Sequence, residues 1–315
     1  MSQKRWDVYV YGDVNVDIII PGVDRFPAPG QEEIVPVMNT YVGGGAALFT
    51  LGLGKLGLSP VFQGTVGKDC YGQMIREAFE QAHVDTELLE TAEGEQTGIS
   101  LSFTNEQDRS FLSFRGTNRG ISLDKVDLDK VRQARHIHVT GYEGETTHES
   151  YESLLRRVKT ETRATVSFDV GWDPGGNWSS RIYELFPWID VLFMNETEAE
   201  HYGRTDSAEK AALDFARTCG QAVVKLGSKG SLAVKDGEIF RRPPDRVRAV
   251  DTTGAGDSFN AGYVYGFLKG QDIPVCLSFG NACGACSVSA YGGNTGFPDE
   301  KGLLSWIENN AVKGE

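Results

Sequence analysis

A carboxylate set just behind a glycine turn is the most chemically suggestive feature of the 315-residue sequence. Asp257 follows Gly254-Ala255-Gly256 in the stretch Asp251-Thr252-Thr253-Gly254-Ala255-Gly256-Asp257-Ser258-Phe259. The alternation in Val247-Arg248-Ala249-Val250 reads as the end of a strand, and Phe259, Tyr263, Phe267 and Leu268 fit a helix period. A strand, a tight turn and a helix start in one run aim backbone N–H groups into one concavity, where the helix dipole also favours an anion. Having no Cβ, Gly254 and Gly256 let a phosphate approach the backbone. Two roles are open to Asp257. It can cap the helix, or it can accept a hydroxyl proton while the adjacent amides hold a phosphoryl group.

Other polar groups recur at the carboxyl ends of expected strands, where open α/β sheets place ligands. Asp13, Asn15 and Asp17 alternate after the apolar run Val8-Tyr9-Val10-Tyr11, so they share one face, suited to hydroxyl recognition or to a solvated strand edge. Asn195 and Glu198 follow Val191-Leu192-Phe193-Met194 and face the same way on a helix start. They suit a hydrated Mg²⁺ or a plain capping arrangement. Lys225-Leu226-Gly227-Ser228-Lys229-Gly230-Ser231 is a glycine turn between strands, either a nucleotide loop or a simple connection.

Several apparent motifs fail on context. Gly52-Leu53-Gly54-Lys55-Leu56-Gly57 matches GxGxxG but lies inside and at the end of a helix, so packing and a helix stop explain it. Cys283 and Cys286 form one CxxC without a second pair, in a helix of small residues where cysteine packs as an apolar group. No P-loop, HExxH or GxSxG is present, and no histidine follows His201 to serve a nucleophile at Ser258.

The elements that must position these groups are regular. Expected strands at 136–139, 164–168, 191–194, 222–225 and 231–234 alternate with helices near 147–160, 179–186 and 207–218, and two more helices span about 256–269 and 272–290. This order predicts an α/β fold: a three-layer α/β/α sandwich with a mostly parallel central sheet. Segments 14–20, 34–38 and 97–115, the last a hairpin turning at Asn105-Glu106-Gln107-Asp108, predict a small β-sheet lid on a single domain spanning 1–315. Lys+Arg 31 against Asp+Glu 44 gives a net charge of −13, which argues against nucleic acid or an anionic membrane surface as partner. Five cysteines without a disulfide pattern, and no signal segment or membrane span, point to a cytoplasmic protein.

Taken in order, Gly12-Asp13-Val14-Asn15-Val16-Asp17, Gly43-Gly44, Asn195-Glu196-Thr197-Glu198-Ala199-Glu200, Lys225-Leu226-Gly227-Ser228-Lys229-Gly230 and Asp251–257 resemble the ribokinase-like (phosphofructokinase-B type) carbohydrate kinases over nearly the whole chain. The resemblance implies an ATP-dependent kinase that transfers the γ-phosphate to a hydroxymethyl group of a sugar. It implies Asp257 as base, and the amides of Gly254, Ala255 and Gly256 as anion hole. It places Asp13, Asn15, Asp17, Gly44 and Glu143 against the substrate, and Lys225, Gly227, Gly230 and Asn281 against the nucleotide. It assigns Asn195 and Glu198 to Mg²⁺, largely through water, and Asp251 to a monovalent cation such as K⁺. The family pattern carries an Asn four residues beyond the second glycine of the Gly43-Gly44 pair, and this sequence has Leu48, which sets an apolar group against the substrate. A nucleoside kinase of the same fold, a sugar-phosphate kinase drawing on Arg109, Arg115 and Arg119, and a non-catalytic sugar- or nucleotide-binding regulatory protein are the alternatives. Exposed apolar lid strands would also allow a homodimer.

Overall fold

The computed structural model describes residues 4–23, 28–104 and 109–311. In chain order the elements are β1 Trp6–Tyr11, β2 Asn15–Pro21, β3 Asn39–Gly43, α1 Gly45–Lys55, β4 Pro60–Gly67, α2 Cys70–Gln81, β5 Leu89–Ala92, β6 Gly98–Thr104 and β7 Arg109–Phe114. There follow α3 Leu128–Val131, β8 Ala134–Thr140, α4 His148–Glu161, β9 Thr165–Asp169, β10 Val191–Asn195, α5 Glu196–Gly203, α6 Ala208–Phe215, β11 Ala222–Lys225, β12 Ser231–Lys235 and β13 Glu238–Arg242. The chain ends in α7 Ala255–Leu268, α8 Ile273–Val288 and α9 Glu300–Ala311.

Side-chain alternation builds the layers. Along β1, Val8 and Val10 enter one core while Tyr9 and Tyr11 enter the other, and all are buried. The period of two thus buries both faces, as a central parallel strand requires. One core joins the sheet to α1, α2, α7, α8 and α9; the other joins it to α3, α4, α5 and α6. The nine strands run β13-β12-β11-β10-β9-β8-β1-β4-β5, with antiparallel pairing only at β11–β12 and β12–β13. From β1 the chain steps to β4 on one side and later to β8 on the other. The strand order therefore reverses at β1, the place where such sheets open a ligand crevice at their carboxyl ends.

The second sheet, β3-β2-β6-β7, is the lid. Its third segment differs from expectation: residues 34–38 form no strand, and Ile34 and Met38 are 84% and 61% exposed. The strand is Asn39–Gly43, which pairs with β2 from Asn39↔Ile19 to Gly43↔Asn15. Pro36 offers no N–H to a ladder, and only the later segment runs directly into α1. The expected hairpin turn at 105–108 lies outside the described residues. Two further expectations need correction. The helix near 179–186 is two 3-10 turns, Ser180–Glu184 and Phe186–Trp188, because Pro187 interrupts the helical bonds. Residues 247–250 form no strand; Val250 is 44% exposed, and the Val250 and Asp251 N–H groups both donate to the Val288 carbonyl. No helix among the described residues is long and apolar enough to cross a membrane.

Glycines set the closeness of α7 and α8. A Cβ on Gly262 would lie 2.5 Å from the Phe279 carbonyl oxygen and 2.8 Å from Cys283 Sγ. The four buried cysteines, Cys219, Cys276, Cys283 and Cys286, are free thiols. The GxGxxG look-alike is packing too: a Cβ on Gly54 would meet the Ala82 carbonyl oxygen at 2.0 Å, and Gly57 turns at φ +79 just beyond α1. Gly262→Ala is expected to destabilise the protein by about 1–3 kcal/mol through overpacking, read as a lower melting temperature. Gly284→Ala is the contrast: its Cβ meets nothing nearer than 3.4 Å, and its melting temperature should hold or rise because alanine favours a helix.

Candidate active site

The turn before α7 is held from behind. Asp251 is buried; its Oδ1 accepts from the Thr253 N–H at 2.9 Å and hydroxyl at 2.7 Å, and its Oδ2 accepts from the Gly292 N–H at 3.0 Å. Both oxygens thus tie the turn to the loop after α8, at the position where the resemblance sets a monovalent cation. Ser258 and Ser287 both donate to the Gly293 carbonyl, at 3.2 and 2.9 Å. Gly254 then reverses the chain at φ +68, a conformation that favours glycine. The N–H groups of Gly254 and Gly256 make no hydrogen bond among the described residues, and they open at the positive end of α7. The Ala255 N–H, expected to join them, instead donates to the Thr252 carbonyl at 3.4 Å and closes the turn.

Asp257 sits in the first turn of that helix, beside charges supplied by two strand ends, Asp169 of β9 and Lys225 of β11. The register Phe193↔Asp169 and Asn195↔Lys225 aligns the ends of β9, β10 and β11. Lys225 Nζ pairs with Asp169 Oδ2 at 2.6 Å, and Asn260 Nδ2 donates to the same oxygen. Asn260 follows Asp257 by three positions on α7, so this face of the helix reaches the strand ends. Burial opposes the charge on Asp169, but the Lys225 ammonium and the two hydrogen bonds hold its carboxyl below the ordinary range. Burial pushes the Asp257 carboxyl up to about 7; the Asp169 charge adds to the rise and Lys225 opposes it. Glu198 is raised to about 7 in the same way, by burial first and Asp169 second.

Where the resemblance sets the substrate, the carboxylate of Asp13 caps α1, accepting from the N–H of Gly45 at 3.0 Å and of Ala46 at 3.1 Å. Gly44 makes the entry turn at φ +94. A Cβ on Gly45 would lie 3.0 Å from Asp257 Oδ1, so the start of α1 and the start of α7 face each other. Asn15 donates to Asp17 Oδ1 at 2.8 Å; burial raises the Asp17 carboxyl to about 6, with Asp13 and Asp251 contributing. Glu143 accepts from Arg115 at 3.0 Å, which joins the end of the lid to the loop after β8. Leu48 corrects the sequence reading. It is 2% exposed and packs on Gly254 and Gly293, so it does not present an apolar wall to a ligand.

Where the resemblance sets Mg²⁺ and the nucleotide, Asn195 and Glu198 form a reciprocal capping box at the start of α5, both bonds being 2.8 Å. The capping alternative is therefore realised, and it uses only one oxygen of Glu198. Oε1 makes no hydrogen bond among the described residues, which leaves a hard donor suited to a hydrated divalent ion. Gly227, at φ +56, has open space where a Cβ would stand. Gly230, at φ +97, would drive a Cβ to 2.1 Å from the Arg242 carbonyl oxygen. Asn281 meets the same segment: it accepts from Ser231 Oγ at 2.8 Å and donates to the Pro243 carbonyl at 2.8 Å. These bonds give Asn281 a bracing job behind the loop. Asp169 and Asn260 are the site residues that sequence reasoning missed. The available signal was a polar residue closing an apolar strand, the feature that marked Asn195 and Lys225.

The profile described as pfkB family carbohydrate kinase matches residues 6–300. The chain is 32% identical over 249 residues to an uncharacterized sugar kinase of Archaeoglobus fulgidus, covering 79% of this chain and 98% of that protein. It is 31% identical over 283 residues to the ATP-dependent ribose-1-phosphate kinase of Halopiger xanaduensis, covering 89% and 91%. Among solved structures, Arabidopsis thaliana ribokinase complexed with ribose and ATP is similar with a TM-score of 0.81 at 26% identity, covering 96% of this chain and 99% of that one.

A carboxyl whose pKa rises on folding binds protons in the native state that the unfolded chain has released, so its ionisation costs stability as pH increases between the two values. For Asp257 that window runs from 3.8 to about 7. Asp257→Asn is therefore expected to raise the melting temperature relative to wild type at pH 8, with the gain shrinking towards pH 4.

Proposed function

Because the chain belongs to the pfkB family of carbohydrate kinases, we propose that it transfers the γ-phosphate of ATP to the hydroxymethyl group of an uncharged sugar, with Asp257 as the base. The observation that carries this reading is the placement of a carboxyl raised to about 7 within the first turn of a helix at whose start the Gly254 and Gly256 amides are open. A cap alone needs no such ionisation behaviour, and a carboxylate poised near neutrality suits a general base.

In this reading the acceptor hydroxyl hydrogen-bonds to Asp257 while Asp13 and the lid residues Asn15 and Asp17 orient the sugar. The proton passes to Asp257 as the hydroxyl oxygen bonds to the γ-phosphorus, and the bond to the β–γ bridging oxygen breaks to release ADP. Amides of Gly254 and Gly256 receive the charge on the transferred group, and most of the acceleration comes from positioning. Glu198, through the oxygen outside its capping box, with Asn195 beside it, would hold a hydrated Mg²⁺ that neutralises charge on the triphosphate. Closing the lid would exclude water from the transfer.

An uncharged acceptor fits the acidic lining of Asp13, Asp17 and Glu143. Of the arginines considered for a sugar phosphate, Arg115 is engaged by Glu143 and Arg119 lies over the Phe114 ring at 5.4 Å. With Leu48 buried, no apolar side chain at that position is offered to a nucleoside base. A homodimer through the outer lid face, where Leu112 is 58% and Phe114 40% exposed, belongs to the same proposal.

ADP release across a panel of free sugars, sugar 1-phosphates and nucleosides tests this reading. A free sugar should give the highest kcat/KM, and Asp257→Asn should lower kcat on the order of 10²–10⁴-fold. If no acceptor raises ADP release above the Asp257→Asn background, the proposal fails.

A further inference from the structure

We infer that Leu48 is a positioning residue for the phosphoryl-binding turn, not a reader of the acceptor. Leu48 is 2% exposed, yet it belongs to neither apolar core, although Ala46, Ala47, Phe49, Leu51 and Leu53 of the same helix all enter one of them. Its neighbours are glycine backbones. A Cβ built on Gly254 would fall 2.7 Å from Leu48 Cδ1, and one built on Gly293 would fall 2.6 Å from the same atom. One leucine methyl therefore fills the space that two glycines leave on adjoining loops. A Cβ on Gly254 would also come within 2.8 Å of Gly293 Cα, so the two backbones are in direct apposition, with Leu48 wedged against both.

The remainder of α1 reinforces this role. Its first turn lies against Asp257, as the 3.0 Å approach at Gly45 records. One turn later Leu48 backs Gly254, and its carbonyl accepts from Asn294 Nδ2 at 3.4 Å. At the far end Lys55 Nζ donates to the Asn294 carbonyl at 2.6 Å. The helix thus touches the base, the turn and the loop that anchors the turn. Removing the leucine side chain would leave the Gly254 turn free to settle into the space while Asp13, between β1 and β2, and Asn15 and Asp17, on β2, keep their places. Displacement of a reacting group by about 1 Å costs up to roughly 10²-fold in rate. A group that acts only at the transition state lowers kcat without raising KM. The selectivity for the acceptor must then come from the lid and from Asp13.

This inference rests on the kinase reading given above, and wild-type turnover decides that reading first. With an acceptor that wild type phosphorylates, Leu48→Ala is expected to lower kcat about 10- to 100-fold, with KM for acceptor and for ATP within about 3-fold. Leu48→Met should recover most of the rate. Leu53→Ala, which empties a buried site on the same helix away from the turn, should show a comparable loss of melting temperature with kcat within about 3-fold of wild type. Leu48→Val gives the same comparison should the alanine variant not fold. The inference is overturned if Leu48→Ala raises acceptor KM while kcat holds, which would make Leu48 a substrate contact. It is also overturned if Leu53→Ala loses kcat equally, which would make the effect one of general stability.

Discussion

One buried ammonium holds the site together. Lys225, at the end of β11, lies among the carboxyl groups of Asp169, Glu198 and Asp257 and forms its ion pair with Asp169 at 2.6 Å. Taking charges out of water is costly unless each is paired and hydrogen-bonded. With a single cation to share, the pairing is unequal: Asp169 takes the ammonium and the Asn260 amide and stays ionised, while Glu198 and Asp257 are pushed towards neutrality. The arrangement assigns roles by position. The carboxylate nearest the lysine becomes a fixed charge, and the one on the helix turn becomes a group able to gain and lose a proton near pH 7.

The fold's contribution is to bring these groups to one place from distant segments. Parallel pairing of β9, β10 and β11 sets Asp169, Asn195 and Lys225 at neighbouring strand ends. On the other face of the site, α1 meets α7 through glycines, so Asp257 and the capped start of α1 lie in contact. The lid hangs from the same crevice, because β2 follows directly from the end of β1. Asp13, Asp257 and the glycine turn therefore share one frame built around the point where the strand order reverses.

Local patterns exposed much of this in the sequence. The glycine turn opening a helix, Asp257 in its first turn, Asn15 and Asp17 on one lid strand, and most of the βα rhythm depend on short-range spacing and are found where that spacing implies. What escaped depends on long-range pairing. Asp169 is defined as a site residue by Lys225, 56 positions on, and by Asn260, 91 positions on. Leu48 was misread because α1 is buried on every side from Ala46 to Gly54, so its period reveals no face. The lid strand at 39–43 was displaced onto 34–38 because the earlier segment is more apolar, although its side chains are exposed. Apolar content there predicted burial that Pro36 and the pairing register do not permit.

The central claim is that Asp169 and burial together set the proton affinity of Asp257, and that this proton is the one moved in the reaction. The pH dependence of kcat/KM, measured for wild type and for Asp169→Asn with one acceptor, tests it most directly. Wild type should show an acidic limb near 7, and Asp169→Asn should move that limb to lower pH, since the charge that raises Asp257 is gone while the opposing Lys225 remains. A limb belonging to the nucleotide's own phosphate would not move. An acidic limb at the ordinary carboxylate value, or one that Asp169→Asn leaves in place, would contradict the account.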